Sequence, residues 1–267
     1  MDPRIPPILH PVLQDYARRI QQEMPGQVSA FYLVGSIGLG DFNPRLSDID
    51  FVAILSSKAT AGDFEKIFTI HQGIAAQSPK WKFEGMYFQA RDLGCLDGEV
   101  EPFLNYHDGK LKWADRFGLS SVTWWILKHC GIAVFGPPVQ SLTFTVDMDE
   151  LIRRQRENLN SYWASWTTRP DGILALLSDW GIQWTVLGVL RQFYTIHERQ
   201  ITSKTKAGEY ALGCVPDRWH PIIREAIALR EEPKRSYYGS RIRRAREAYG
   251  FLQYMIRSCN DYLDLTL

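Results

Sequence analysis

No stretch of this chain approaches the roughly 18 uninterrupted apolar residues that a membrane span needs, so no membrane role is expected. The opening residues, Met1-Asp-Pro-Arg-Ile-Pro-Pro, lack a charged start followed by an apolar run, which makes the cytoplasm the expected compartment. Cysteine is scarce. Cys95, Cys130, Cys214 and Cys259 lie far apart with no short C-x-x-C spacing, which argues against a zinc cluster and for buried or semi-buried thiols. The six histidines are equally scattered and contain no pair at helical metal-ligand spacing, so no chemistry is assigned to them. An excess of one charge is missing too: 31 basic residues face 30 acidic ones. Without a global basic field, duplex nucleic acid is not an expected partner.

What is present is apolar material enough for a large core, 45% of 267 residues, which favours one large domain or two modest ones. Two is the expectation. Residues 8–24 carry helical spacing that Pro25-Gly26 stops, while Val28 to Val34 and Asp48 to Leu55 are short β-branched and aromatic runs that predict strands. Phe64 to Ile74 is expected to be helical and Lys80 to Ala90 a third strand with Glu84 near its middle. Residues 91–118, rich in glycine and charge, are expected to be irregular, with a helix over 122–130 and a break at Phe135-Gly-Pro-Pro138. Beyond a boundary near 140 the segments 147–166, 172–198, 204–212, 220–231 and 241–259 all have three-to-four-residue apolar spacing. The expected fold class is therefore α+β, with a sheet domain over 1–140 and an all-helical bundle over 141–267.

The informative stretch runs from Leu33 to Phe51, L-V-G-S-I-G-L-G-D-F-N-P-R-L-S-D-I-D-F. A strand delivers the chain to Gly35-Ser36, where the missing β-carbon admits a phosphate and the following N–H groups and the Ser36 hydroxyl can bind its oxygens. After eleven intervening residues comes Asp48-Ile49-Asp50. A strand's two-residue period puts both carboxylates on one face, and two hard oxygen ligands on a rigid surface suit magnesium, which keeps places for substrate phosphates. Glycines 35, 38 and 40 alone are weak evidence, and a lone Asp-x-Asp is weaker. Their combination with a strand and a spacer of this length is not. A Rossmann reading would need G-x-G-x-x-G opening a helix, whereas here the glycines lead into Asp-Phe-Asn-Pro.

At these residues the chain resembles the nucleotidyltransferases of the DNA polymerase beta superfamily, whose signature is an apolar strand, Gly-Ser, a similar spacer and two aspartates flanking one apolar residue. The resemblance implies a small mixed sheet flanked by helices and one or two magnesium ions on Asp48 and Asp50. It also implies a third acidic residue on a neighbouring strand, for which Glu84 is the match as metal ligand and catalytic base. Within that superfamily the chain looks most like the aminoglycoside adenylyltransferases of the 3''/9 type. They share the compact Ser47-Asp48-Ile49-Asp50, a Gly-Pro pair like Gly136-Pro137 and a helical second domain. Carried over with that resemblance, Gly35, Ser36, Ser47, Arg191 (in L-G-V-L-R-Q-F-Y) and Lys204 (in I-T-S-K) are triphosphate contacts, and ATP is the co-substrate. Trp113 and Asp179 stand nearest to the family's drug-reading tryptophan and aspartate, although their surroundings align poorly. The family's tyrosine after Pro221 is missing; Tyr237 and Tyr238 are the nearest substitutes.

The reaction so implied is attack of a small-molecule hydroxyl on the α-phosphorus of ATP with release of pyrophosphate, the acceptor being a cationic aminosugar such as streptomycin or spectinomycin. A monomer or weak dimer is expected. Three rival readings remain: the same fold with a metabolite or protein hydroxyl as acceptor, a non-catalytic antitoxin-like module, and nucleotidyl transfer to single-stranded RNA. The last would use the arginines of 241–246 and the tryptophans 163, 166, 180 and 184. Helical spacing instead assigns those tryptophans to a core and the arginines to a solvated or paired face.

Overall fold

The computed structural model describes residues 1–96, 99–114, 120–231 and 236–266, and divides into two compact units, Met1–Asp147 and Met148–Leu267. The first holds helices α1 (His10–Glu23), α2 (Gly35–Gly38), α3 (Ala61–Gln77) and α4 (Ser121–Cys130). It also holds strands β1 (Val28–Leu33), β2 (Ile49–Leu55), β3 (Phe83–Gln89), β4 (Phe103–His107), β5 (Lys110–Ala114) and β6 (Ile132–Phe135). One mixed sheet runs in the order β5-β4-β3-β2-β1-β6, with β2 and β3 parallel and the other neighbours antiparallel. Residues 139–147 belong to this unit: Phe144 packs edge-on against Trp124, and Lys128 Nζ donates to Leu142 O at 2.7 Å.

The two sheet faces bury different partners because strand residues alternate. One face carries Phe31, Phe51, Phe83 and Tyr87 against α1 and α3, where Tyr16 lies 4.4 Å from Phe31 between ring centroids. The other carries Phe88 against Trp124 of α4. Burial on the first face traps a polar chain, in which the Tyr16 and Tyr87 hydroxyls are 2.8 Å apart and Tyr87 Oη is 2.7 Å from His71 Nε2. Burial also holds the His71 pKa down to about 3. Below about pH 6.5 the unfolded chain therefore binds a proton that the folded chain refuses, and stability falls as pH falls. The expected result is a loss of roughly 2 kcal/mol between pH 7.5 and pH 5 from this residue. Urea unfolding of the parent and of His71→Gln at both pH values checks it: the parent should lose that much more than the variant, and equal losses would contradict it.

Residues expected to be irregular form the β4–β5 hairpin instead, although Asp97, Gly98 and 115–118 lie outside the described residues. Asp108 and Gly109 close it at positive φ (48° and 71°), the two-residue turn whose twist matches the flanking strands. The short β6 after α4 was likewise not anticipated.

The second unit contains α5 (Met148–Asn158), a π-turn over Leu159–Trp163, α6 (Pro170–Ala175), α7 (Asp179–Glu198), α8 (Lys204–Ala211), α9 (His220–Ala228) and α10 (Arg241–Thr266). Among its described residues there is no strand. The single helix expected over 172–198 is two, because Ser178 caps a new start by accepting from Gly181 N at 2.9 Å. The tryptophans divide. Trp163 is core and seats its ring where a β-carbon on Gly188 would fall, whereas Trp180 is 58% exposed and stacks on Trp184. Assigning all four to the core was therefore incorrect: Trp180 lies on the outward side of α7.

Candidate active site

The acidic strands lie side by side. In the parallel β2–β3 pair, Asp50 stands opposite Glu84, and Ile49 opposite Phe83. Ile49, Phe51 and Phe83 are buried on the α1 and α3 face, so alternation turns Asp50 and Glu84 together to the other side. Asp48 precedes β2, half-buried, near enough for its charge to act on Glu84. The Glu84 pKa is raised, first by burial and then by Asp48 and Asp108, while His107 opposes the shift. A carboxyl so raised is better matched to accepting a proton from a hydroxyl than a fully hydrated one.

Gly35 packs directly on this pair. Its φ is 55°, and a β-carbon there would fall 1.9 Å from Asp50 Oδ2. Val34 N donates to Asp50 O at 2.9 Å, locking the turn to the strand. Beside it, in α2, the Ser36 hydroxyl is buried with no hydrogen-bond partner in the protein. A buried hydroxyl without a partner ordinarily awaits one. Together with a side-chain-free cradle and neighbouring carboxylates, it fits a phosphate oxygen and a hard divalent cation. Ser47 serves the loop: its Oγ accepts from Asn43 N at 3.0 Å and its N donates to Asn43 O at 2.9 Å, which delivers Asp48 to the start of β2.

His107, to which the sequence reading assigned no chemistry, is part of this site. Its Nδ1 is 2.9 Å from Glu84 Oε2 and its Nε2 is 3.5 Å from Asp108 Oδ2. Ligand atoms of Glu84, His107 and Asp108 lie within 4.8 Å of one another. The signal that would have found it is the Asp108-Gly109 turn between two strand-length runs, which puts His107 at the end of β4 next to β3. A cavity of about 270 Å³ borders this group on the α3 side of the sheet, lined by His71, Ile74 and Ala75 of α3 and by Lys82, Tyr106, Glu84 and Asp108.

Trp113, the match to the family's drug-reading tryptophan, lies apart from this group. It pairs with Leu104 and stacks on Phe64 of α3, so alternation sends it to the opposite face of the sheet. In the helical unit, Arg191 lies within α7 and Lys204 opens α8. Arg191 Nε donates to Thr202 O at 3.2 Å, and Lys204 Nζ lies 4.7 Å from the Trp184 ring centroid. Asp179 sits about 18 Å along α7 from Arg191, at 1.5 Å per residue. Its carboxylate is 2.9 Å from Arg244 Nη1, a nitrogen that the buried Glu225 also approaches at 2.9 Å. Tyr237 N donates to Glu225, and the Tyr238 hydroxyl donates to Glu247.

Residues 14–108 match the nucleotidyltransferase domain family, and residues 159–257 match the C-terminal domain of aminoglycoside adenylyltransferase. The chain is an aminoglycoside adenylyltransferase-like nucleotidyltransferase. It is thus a transferase by its domains, and Asp50, Glu84, Gly35 and Ser36 all fall in the first matched region. No curated protein sequence matches it. Among solved structures, this adenylyltransferase-like chain is similar in fold to spectinomycin adenyltransferase AAD(9) from Enterococcus faecialis, crystallised with ATP and spectinomycin. That similarity has a TM-score of 0.63 at 13% identity and covers 91% of this chain and 99% of the other. No described helix is long and apolar enough to cross a membrane.

Proposed function

We propose that this enzyme transfers AMP from ATP to a hydroxyl of a small cationic molecule of the streptomycin or spectinomycin kind, releasing pyrophosphate and conferring resistance to the drug. The observation that carries the reading is the register that sets Asp50 beside Glu84 with Gly35 against the Asp50 carboxylate. Asp48, Asp50 and Glu84 would hold one or two magnesium ions, which supply charge neutralisation on the phosphate oxygens when bound. Glu84 takes the proton of the acceptor hydroxyl as its oxygen bonds to the α-phosphorus, and the bond from that phosphorus to the β-phosphate oxygen breaks. Ser36 and the turn at Gly35 orient the triphosphate, with Ser47, Arg191 and Lys204 as further contacts. Glu84 and Asp108, which stand together at the end of β3 and β4, supply acidic contacts that suit a cationic aminosugar. The enzyme is proposed to act in the cytoplasm as a monomer or weak dimer.

The test is pyrophosphate release from ATP and magnesium with streptomycin, spectinomycin and other aminoglycosides in turn, beside growth of a sensitive strain expressing the chain. Drug-dependent release with at least one of them is expected. No turnover with any would sink the aminoglycoside reading.

A further inference from the structure

We propose that His107 is a positioning residue for Glu84, aiming the carboxylate at the acceptor hydroxyl; this rests on the reading of Glu84 as the base. A glutamate side chain has three rotatable bonds, the last of them broad, so a base on it is poorly aimed unless something holds it. Here something does. In its ionised form Glu84 can only accept, so the proton between it and His107 belongs to Nδ1, which donates to Oε2 over 2.9 Å. Fixing Oε2 fixes the carboxylate plane and hence the direction of Oε1. The ring is oriented in turn at its far side, where Nε2 lies 3.5 Å from Asp108 Oδ2.

The backbone explains why the chain places a histidine there. β3 and β4 pair antiparallel with Gly85 opposite Tyr106 and Met86 opposite Asn105, which brings the next residues, Glu84 and His107, into line. β4 and β5 close through Asp108 and Gly109 with His107 opposite Lys110, so the residue that ends β4 cannot slide along β3. Asp108 makes the turn that fixes where the imidazole stands, so the hairpin itself delivers His107 to Glu84.

The test uses the full-length chain, with spectinomycin and with water as acceptors, since slow ATP cleavage by water draws on the same base. His107→Ala is expected to lower kcat about 10- to 100-fold, the range for partners that orient an active group. KM for ATP should stay within about twofold, and any change in the magnesium midpoint should vanish in the Glu84→Gln background. His107→Gln, which keeps an N–H donor, should recover part of the loss. Adding His107→Ala to Glu84→Gln should cost nothing further, because the group being aimed is gone. Thermal melting of each variant separates this from unfolding, and His107→Gln serves if His107→Ala does not fold. Wild-type kcat in both His107 variants with an inactive Glu84→Gln would overturn the inference and leave the base standing. Full activity in Glu84→Gln would remove the base and the inference with it. A magnesium midpoint that His107→Ala still shifts when Glu84 is already Gln would make His107 a metal ligand in its own right and also overturn it.

Discussion

Asp50→Asn is expected to lower pyrophosphate release by on the order of a thousandfold or more, the several kcal/mol that a metal-held phosphate contributes at 1.36 kcal/mol per tenfold. The substitution keeps the shape of the side chain, so β2, with Ile49 and Phe51 buried on its far face, should be undisturbed. Thermal melting should accordingly move little. What changes is charge: a neutral amide beside Glu84 is a poor ligand for a hard cation, so the magnesium proposed for this site would be held less tightly. Isothermal titration with ATP checks the cause. Binding to the parent should strengthen with magnesium, and that dependence should disappear in Asp50→Asn. Binding indifferent to both the metal and the substitution would instead favour a non-catalytic module.

Gly35→Ala is expected to abolish turnover to the same degree while lowering stability by a few kcal/mol. Two effects act at this position and their sizes differ. An alanine at φ 55° strains the backbone by roughly 1–2 kcal/mol. The new β-carbon would also lie 1.9 Å from Asp50 Oδ2 and 2.5 Å from its Cγ, a separation no pair of heavy atoms tolerates. The carboxylate has to move, and with it the pairing of Asp50 and Glu84. Strain alone would leave an active enzyme of reduced stability; displacement of Asp50 would not. The Gly35→Ala, Asp50→Ala double variant distinguishes them. It should recover part of the stability lost in Gly35→Ala, because the clash is relieved, and recover no activity. Full additivity of the two losses would show that the contact between Gly35 and Asp50 does not govern the site.

The parts of this site that could be read in advance are those whose residues are close in sequence. The run from Leu33 to Phe51 contains a strand, a turn and a second strand, and each carries its own local signal: a β-branched and aromatic run, glycines, and an alternation that is apolar at Ile49 and Phe51. The helical unit was legible for the same reason, since three-to-four-residue spacing is a property of each helix alone. Local signals also misled where tertiary packing decides. Trp180 shares its spacing with core residues, yet it is largely exposed.

By itself, then, the sequence determined the presence of a Gly35-Ser36 turn, two aspartates flanking Ile49, a glutamate on a third strand and a helical second half, because short-range periodicity and turn chemistry dictate each. Only the tertiary structure decided what those residues meet. That Asp50 faces Glu84 depends on the parallel register of β2 and β3, fixed across the intervening α3 by burial of Phe51, Phe83 and Tyr87 on the opposite face. That His107 reaches Glu84 depends on β4 adding to β3 and on the turn at Asp108 and Gly109. Register is a pairing between segments, and one residue of slip would send every one of these side chains to the wrong face, so the information lies in the packing that forbids the slip.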